Sequence, residues 1–385
     1  MHRLQLHYTL SRDNSPAQVR NPLIDLLQAV SIRGSISGGA RALNLSYRHV
    51  WGELKRWEQE LGNELLVWEK GQNARLTDFA SKLMWAERQA QARLAPQIEA
   101  LRSELERSFA LAFDDSVQVL TLYASHDEAI SRLREYALRG PESGTRLHLD
   151  VRFTGSVDAI RALNEGRCIM AGFHTLAQTG RKTLSERSYK PLLQPGRHKI
   201  IGFAQRTQGL MVAPGNPLAL QTLHDVARSQ ARFANRVLGS GTRLVLDELL
   251  AQAGLAATDI NSLANLEPSH AAVAQAVASG QCDAGLGIAA AALQAGLDFV
   301  PFANERYHLV CLKSALGQPG VLNLLQLLQT PHWQSSMTNI AGYSPEQCGQ
   351  VLSMRKVLPW WDFAREKSKA VSLLNAAMPM QQQPV

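Results

Sequence analysis

The sequence predicts an α/β protein preceded by a small all-α segment of the winged helix-turn-helix type. Three patterns carry this prediction. Residues 21–76 hold three helical patterns followed by a hairpin, a long helical pattern runs from Thr77 to about Phe109, and strand and helix patterns alternate from residue 117 onwards. Because alternation of strands and helices is typical of βαβ units, we expect the sheets of the second part to be largely parallel.

These patterns divide the chain into four parts. We predict a winged helix-turn-helix domain over 1–76, a linker helix over 77–110, an α/β domain over 117–361, and a polar tail over 362–385 that we expect to be disordered. With 385 residues, 45% of them hydrophobic, the chain is long enough for more than one core. Its net charge of +7 permits an anionic partner without identifying one.

Each helix of the N-terminal part has its own start signal. Asn21 and Pro22 are a cap and a first helical residue for the first helix. Ser35 and Ser37 are cap candidates for the second, and Ser46 for the third. The downstream hairpin has its tip at 70–73, which completes the winged helix-turn-helix pattern.

The third helix is predicted to bury Val50, Leu54 and Trp57, which follow helical spacing. Arg48 and Lys55 then point outward, which would let the helix read guanine edges and meet phosphates in the major groove. Any small helical subdomain with solvated basic residues would show the same periodicity. The predicted contacts to double-stranded DNA, from this helix and the hairpin, are Ser46, Tyr47, Arg48, Lys55, Lys70 and Arg75.

The linker pattern carries an apolar stripe that includes Phe79, Leu83 and Leu101. We expect this helix to have no domain of its own chain to pack on, so that a helix from a second subunit covers the stripe in a homodimer or tetramer. Pro96 lies inside the pattern and should kink or split the helix, because proline removes a hydrogen bond of the helix interior.

In the α/β part, several strand ends run into helix starts that are rich in small polar residues. Such starts offer unpaired N–H groups, hydroxyls and the positive end of a helix dipole, and several of them together make a site for a small anion. For any single one, an ordinary N-cap is the simpler explanation. The candidate ligand-binding residues are Ser125, His126, Gly155, Ser156, Arg206, Ser240, Gly241, Thr242, Ser269 and His270.

Other function classes fit the sequence less well. His126 with Asp127 and Glu128 could serve as a general acid–base group, but we find no nucleophile with a paired base, no phosphate-binding glycine loop and no cluster of metal ligands. We therefore expect no enzyme activity, no metal and no cofactor. The N-terminus lacks the apolar core of a secretory signal and no run approaches the ~20 apolar residues of a membrane span. We expect a cytoplasmic protein without a membrane partner.

The segment GSISGGARALNLSYRHVWGELKRWEQELG and the later K-G-x-x-A-R-L-T resemble the LysR-type and ModE-type winged-helix regulators. Ser46-Tyr47 with Trp51 looks closer to the ModE branch, which controls molybdenum uptake genes. The sequence departs from the family at Gly38-Gly39, where an alanine pair is usual. Because glycine inside a helix costs roughly 1 kcal/mol relative to alanine, the packing of the second helix is in question.

Residues 118–352 resemble the periplasmic-binding-protein-like domain of cytoplasmic regulators, notably in GSGTRLVLDELL and SHAAVAQAVASGQCDAGLGIAAAA. The resemblance implies two α/β lobes joined by crossing strands, which we place near 202–210 and 303–312, with a ligand in the cleft between them. It implies a small anionic effector, with molybdate or tungstate as the leading candidates and a carboxylate such as formate as the alternative. The function implied is a ligand-responsive bacterial transcriptional regulator; an enzyme built on the same fold is the alternative.

Overall fold

The computed structural model describes residues 21–67, 74–113, 117–139, 147–178 and 180–361. The tail predicted to be disordered and the hairpin tip with Lys70 lie outside the described residues.

The N-terminal part consists of three helices and a short hairpin, as predicted. The start signals act as caps: Asn21 Oδ1 accepts from Leu23 N at 3.0 Å, Ser35 Oγ from Gly38 N at 3.0 Å, and Ser46 Oγ from His49 N at 3.1 Å. Ser35 rather than Ser37 therefore caps the second helix. The elements are α1 (Pro22–Arg33), α2 (Ile36–Ala42), α3 (Tyr47–Leu61), β1 (Leu66–Val67) and β2 (Arg75–Leu76).

The glycine pair in α2 is explained by the close approach of α1. A Cβ added to Gly39 would lie 3.0 Å from Val30 Cγ2 and 3.0 Å from Val30 N. One added to Gly38 would lie 2.8 Å from Arg33 Cβ. The packing of the second helix, which the glycine pair had put in question, is close because the missing methyl groups allow the two helices to touch.

The linker helix, α4 (Asp78–Phe113), is a single element of 36 residues. It is slightly longer than predicted, and Pro96 lies inside it without splitting it. Ala80 and Met84 belong to the N-terminal core, so α4 begins within the helix-turn-helix domain.

Beyond that core, α4 packs on the α/β domain, and the expectation that it would have no domain of its own chain to pack on was wrong. The face turned toward the α/β domain buries Gln89, Ala92, Pro96 and Ser103. Of the predicted apolar stripe, Phe79 and Leu83 pack partly buried against the N-terminal core, whereas Leu101 is 59% exposed. The sequence pattern had identified the apolar face, whereas the contacts with the α/β domain are made by small and polar residues.

The α/β domain has two lobes joined by two long strands, as predicted. These crossing strands, β6 (His198–Val212) and β10 (Asp298–Leu312), pair antiparallel along their whole length, and both predicted crossings lie within them. Lobe 1 contains β3 (Gln118–Ala124), α5 (Glu128–Arg139), β4 (Leu147–Phe153), α6 (Ser156–Asn164), β5 (Met170–Leu176), α7 (Leu184–Tyr189), α12 (Pro319–Gln329), α13 (Pro331–Thr338), β11 (Tyr343–Ser344), β12 (Val351–Leu352) and α14 (Met354–Val357).

Lobe 2 is inserted between the crossing strands. It contains α8 (Leu223–Ser229), β7 (Phe233–Arg236), α9 (Gly241–Gln252), β8 (Ser262–Glu267), α10 (His270–Ala278), β9 (Ala284–Ile288) and α11 (Ala289–Gln294). The strand order through both lobes is β4-β3-β5-β10-β6-β9-β7-β8, and the pairs within each lobe that exclude the crossing strands are parallel. Since parallel strands end at the same edge of a sheet, the loops that follow β3, β4, β7 and β8 line the cleft between the lobes.

The glycine pair of α2 leads to a prediction. Gly39→Ala should destabilise the protein by about 1–3 kcal/mol, because the added methyl group must displace the backbone of α1. Gly52→Ala in α3 is the matched control: a Cβ there meets nothing within 4 Å, and the better helix propensity of alanine should stabilise the helix by up to about 1 kcal/mol. Urea unfolding of the full chain measures both, and equal effects would contradict the packing argument.

Buried histidines of the α/β domain make its stability depend on pH. Burial lowers the pKa of His174 and His270 well below the usual value, and that of His308 to about 3. These groups stay neutral in the folded chain at a pH where the unfolded chain takes up protons. As pH falls below about 6.5, each should therefore lower the free energy of unfolding by about 1.4 kcal/mol per pH unit.

We predict that the free energy of unfolding decreases steeply between pH 7 and pH 5, as measured by urea unfolding at each pH. His308→Met should make the free energy of unfolding less dependent on pH in this range, by about 1.4 kcal/mol per pH unit. An unchanged slope in this variant would show that His308 is protonated in the folded protein.

Candidate functional site

The exposed surface of α3 follows the prediction made from its sequence. Val50 and Leu54 are fully buried and Trp57 is partly buried, whereas Arg48 is exposed. The side chain of Ser46 is occupied by its cap bond, and Tyr47 is exposed beside it. The helix therefore presents its N-terminal turn to solvent.

Aromatic and cationic side chains form a ladder along this surface. The rings of Tyr47 and Trp51 stack with centroids 6.4 Å apart, and Lys55 Nζ lies 5.1 Å from the centre of the Trp51 ring. Lys55 also donates to Glu58 Oε2 at 2.6 Å. Although burial opposes it, the bond from Lys55 and the backbone N–H of Leu65 lower the pKa of Glu58. Lys55 is thus held in place and partly neutralised, unlike the free cation that the sequence suggested.

One predicted DNA contact lies on the described part of the hairpin. Arg75 lies exposed on β2, where it is the cross-strand partner of Val67. Lys70 belongs to the hairpin tip, which lies outside the described residues.

The predicted ligand residues come together where the two lobes meet. The loop before α6 touches the loop before α9, because a Cβ on Gly155 would overlap the carbonyl group of Gly239. A Cβ on Gly241 would likewise overlap the ring of His174. Two of the predicted glycines therefore permit contact between the lobes, and the cleft is closed at this point.

A hydroxyl–histidine pair lies on each side of the closed cleft. In lobe 1, Ser156 Oγ is 3.2 Å from His174 Nδ1, and in lobe 2, Thr242 Oγ1 is 3.2 Å from His270 Nε2. In the part of the chain that the structure describes, each ring keeps a buried nitrogen without a hydrogen-bond partner, Nε2 of His174 and Nδ1 of His270. Ser125 Oγ at the end of β3 is also buried and without a partner, whereas Ser240 caps α9 through Arg243 N at 3.2 Å.

Arg206, a predicted ligand-binding candidate, lies on crossing strand β6 and is paired within the protein. Its guanidinium is buried and forms ion pairs with Asp127 and Glu305, and it donates to Tyr343 Oη at 3.3 Å. Glu305 is the direct neighbour of Arg206 across the crossing strands. Both charge partners of Arg206 come from the protein, so its guanidinium is already neutralised where the two strands cross.

Two further predicted ligand residues are engaged by the linker helix. His126 Nε2 is 3.2 Å from Glu99 Oε1, and Ser269 Oγ donates to the carbonyl oxygen of Ala92 at 3.1 Å while capping α10 through Ala272 N at 3.1 Å. The prediction that these side chains contact a ligand did not anticipate that α4 lies against this edge of the cleft. The acid–base alternative built on His126 and Asp127 loses support for the same reason, since both groups have structural partners.

Arg236 is a functional candidate that the sequence analysis missed. It ends β7, it is 3% exposed, and its Nε and Nη2 donate to the carbonyl oxygens of Glu267 at 3.2 Å and Pro268 at 3.0 Å. Its Nη1 is buried and has no hydrogen-bond partner among the described residues. Burial lowers the pKa of Arg236 to about 9, and the nearby charge of Arg206 adds to this effect. A buried cation that lacks a hydrogen-bonded carboxylate is in the state expected of a group that binds an anionic ligand.

The two buried arginines lie close enough to the cleft histidines to influence their pKa values. The positive charges of Arg206 and Arg236 both lower the pKa of His174 and of His270, beyond the larger effect of burial. Both rings are therefore neutral at physiological pH, and either can donate or accept a hydrogen bond. The region where the lobes meet therefore holds a buried cation, a buried serine hydroxyl and two neutral imidazoles.

No described helix is both long enough and apolar enough to cross a membrane. Among the described residues, no three histidine, cysteine or acidic side chains converge as metal ligands do. The four cysteines are all buried as free thiols.

Two family models match the chain. Residues 23–81 match the lysR family of bacterial regulatory helix-turn-helix proteins, and residues 137–329 match the PBP superfamily domain. The first match covers α1–α3, the hairpin and the start of α4, and the second covers most of both lobes. A match to a family of regulatory proteins agrees with the prediction that the chain is not an enzyme.

Curated relatives are similar to parts of the chain. The uncharacterized protein YvgK of Bacillus subtilis (strain 168) is 30% identical over 202 residues, which is 52% of this chain and 64% of that protein. The chain thus spans less than two thirds of the length of this relative. An uncharacterized protein encoded in the 5′ region of a ferredoxin 2Fe-2S gene in Clostridium pasteurianum is 28% identical over 111 residues, 29% of this chain and 98% of that protein.

Solved structures show more distant similarity. A hydrogen-peroxide-bound mutant of OxyR from Corynebacterium glutamicum is 16% identical with a TM-score of 0.42, covering 84% of this chain and 98% of that one. ArgP from Mycobacterium tuberculosis is 20% identical with a TM-score of 0.38, covering 80% and 96%. These similarities are too distant to indicate a ligand. The chain belongs to the PBP superfamily and carries, ahead of that domain, a helix-turn-helix region of the lysR family of bacterial regulatory proteins.

Proposed function

We propose that the protein is a DNA-binding transcriptional regulator whose activity responds to a small anion bound between the two lobes. The observation that carries this proposal is the buried Nη1 of Arg236, which has no partner although the rest of the guanidinium is fixed by two carbonyl oxygens. An anion at this position would supply the missing negative charge. It would also accept hydrogen bonds that are worth about 1.5–3 kcal/mol each when a charged group takes part.

The geometry favours a compact ligand. Since the loops at Gly155 and Gly239 touch, the space between the lobes suits an ion of few atoms rather than a ring system. Ser125 and the neutral rings of His174 and His270 offer further hydrogen-bonding groups with buried free atoms. Molybdate and tungstate are our first candidates and formate is the second, since all of them can accept hydrogen bonds from these groups.

The DNA-binding half of the proposal depends on α3. The exposed N-terminal turn, with Ser46, Tyr47 and Arg48, would enter the major groove, and Lys55 and Arg75 would meet the phosphate backbone. We further propose that the exposed apolar stripe of α4 pairs with a second copy of the chain. Two copies would then reach half-sites about 34 Å or a multiple of it apart.

Arg236→Gln should strongly weaken the response to the anion. The wild-type chain is screened by thermal unfolding with sodium molybdate, tungstate, sulfate, phosphate and formate, and the anion that raises the melting temperature is titrated by calorimetry. We expect the variant to bind this anion at least about tenfold more weakly, because glutamine cannot replace the charge. Arg243→Gln is the control, since Arg243 pairs with Asp247 on the same helix at 2.9 Å and should leave binding unchanged.

An Arg236→Gln variant that keeps wild-type affinity would contradict the assignment of this residue. A wild-type chain that responds to none of these anions would contradict the class of ligand. The melting temperature of each variant without ligand shows whether a lost response reflects lost folding.

Arg48→Ala should weaken DNA binding without lowering stability. The arginine is exposed at the start of α3, so its removal should cost about 1–3 kcal/mol of binding if it reads a base. Arg56→Ala is the control, because Arg56 lies on the same helix but forms ion pairs with Glu53 and Glu60. Both are tested by fluorescence anisotropy on DNA fragments that the wild-type chain selects from a random-sequence pool. Equal loss in the two variants would indicate a nonspecific charge effect.

A further inference from the structure

The linker helix α4 contacts both lobes of the α/β domain, and Pro96 lies between the two sets of contacts. Residues 89–93 contact lobe 2 and residues 99–107 contact lobe 1. The helix therefore bridges the two lobes, which are also joined by the crossing strands and touch at Gly155 and Gly239.

The contacts with lobe 2 are charged and polar. Arg93 donates Nε and Nη2 to the two carboxylate oxygens of Glu267, at 2.9 and 2.6 Å. The carboxylate is almost fully buried, and the ion pair raises the pKa of Arg93. One turn earlier, the side-chain amides of Gln89 and Gln281 exchange two hydrogen bonds of 2.8 and 2.5 Å. Since Glu267 ends β8, this attachment lies directly beside the cleft.

A third contact with lobe 2 exists because of Pro96. Proline has no N–H, so the carbonyl oxygen of Ala92, four residues earlier, loses its partner within the helix. Ser269 Oγ donates to that oxygen at 3.1 Å in a buried position. The hydroxyl of lobe 2 thus takes the place of the missing helical hydrogen bond, and the same serine caps α10.

The contacts with lobe 1 follow after one more turn. Glu99 accepts from Ser131 Oγ at 2.7 Å and lies 3.2 Å from His126 Nε2. Ser103 Oγ donates to the carbonyl oxygen of Leu149 at 3.2 Å and accepts from Val151 N at 3.0 Å. His126 follows β3, so this attachment also lies beside the cleft, on its other side.

We propose that α4 is a strap across the cleft that bends at Pro96 when the lobes move apart. A straight helix attached at both ends opposes such movement, and a helix bends most easily where a hydrogen bond of its interior is missing. Because Ala80 and Met84 belong to the helix-turn-helix core, the DNA-binding domain moves with the part of α4 that is held by lobe 2. Bending at Pro96 changes its position relative to lobe 1.

This inference gives a structural route for the regulation proposed above, and it rests on that proposal for its biological meaning. The attachment of α4 to lobe 2 and its bending at Pro96 can be tested without any ligand. The failure of the anion screen would therefore leave the outcome of this test unaffected.

The test is a pair of distance measurements by pulsed electron paramagnetic resonance on the ligand-free full chain, diluted with unlabelled chain. One label is placed at exposed Gln59→Cys in α3 and the other either at Leu293→Cys in lobe 2 or at Asp158→Cys in lobe 1. The four native cysteines are buried and should not be labelled.

Arg93→Met should at least double the width of the distance distribution between residues 59 and 293, because the first half of α4 loses its main attachment to lobe 2. Pro96→Ala should narrow the distribution between residues 59 and 158, because alanine restores the helical hydrogen bond and stiffens the strap. It should leave the distances between residues 59 and 293 as they are in the wild type.

Arg102→Met is the control, since Arg102 lies on the same helix and pairs only within it, with Glu106 at 2.6 Å. Arg93→Lys keeps the charge and should retain wild-type distances. It serves as the folded comparison if the Arg93→Met variant fails to fold. Wild-type distributions in both Arg93→Met and Pro96→Ala would overturn the proposal. Equal broadening in Arg102→Met would overturn it as well.

Discussion

The arrangement of the lobes depends on a buried ion cluster where the two long strands cross. Arg206 and Glu305 are cross-strand neighbours at the crossing, and Asp127 reaches the same guanidinium from the end of β3. Removing one partner of such a buried pair typically destabilises a protein by about 3–5 kcal/mol, because the remaining charge has no solvent. The cluster therefore ties the end of β3 to both crossing strands at the place where the lobes are joined.

Two buried arginines in this region differ in the partners that the protein gives them. Arg206 has carboxylates on both sides, so the protein itself neutralises its charge. Arg236 is held by carbonyl oxygens, which orient the guanidinium but carry no full negative charge. Arg206 is thus paired with carboxylates, and Arg236 has no hydrogen-bonded carboxylate. This difference suits Arg236 to recognise an anion by charge.

The sequence predicted the helix-turn-helix, the two lobes and the crossing strands, since these follow from caps, periodicity and family resemblance. It failed where function depends on which residues meet across the fold. Strand β7 is short and ends in Arg236, and no local pattern distinguishes this arginine from Arg206. The register that pairs Arg206 with Glu305 is likewise set by tertiary contacts. Serine caps were recognised correctly at Ser46, but the same pattern at Ser269 concealed a contact with a distant helix.

The amphipathic pattern of the linker helix predicted its apolar face but not its contacts with the two lobes. Hydrophobic periodicity detects an apolar face, and α4 has one, exposed at Leu101. Its other face meets the lobes through small residues and hydrogen bonds, which periodicity does not register. The helix interior would normally reject Pro96 at a cost of about 3 kcal/mol, but the hydroxyl of Ser269 satisfies the carbonyl group that the proline leaves free. A proline that looks like an obstacle to the helix is thus the residue that gives lobe 2 a hydrogen bond to it.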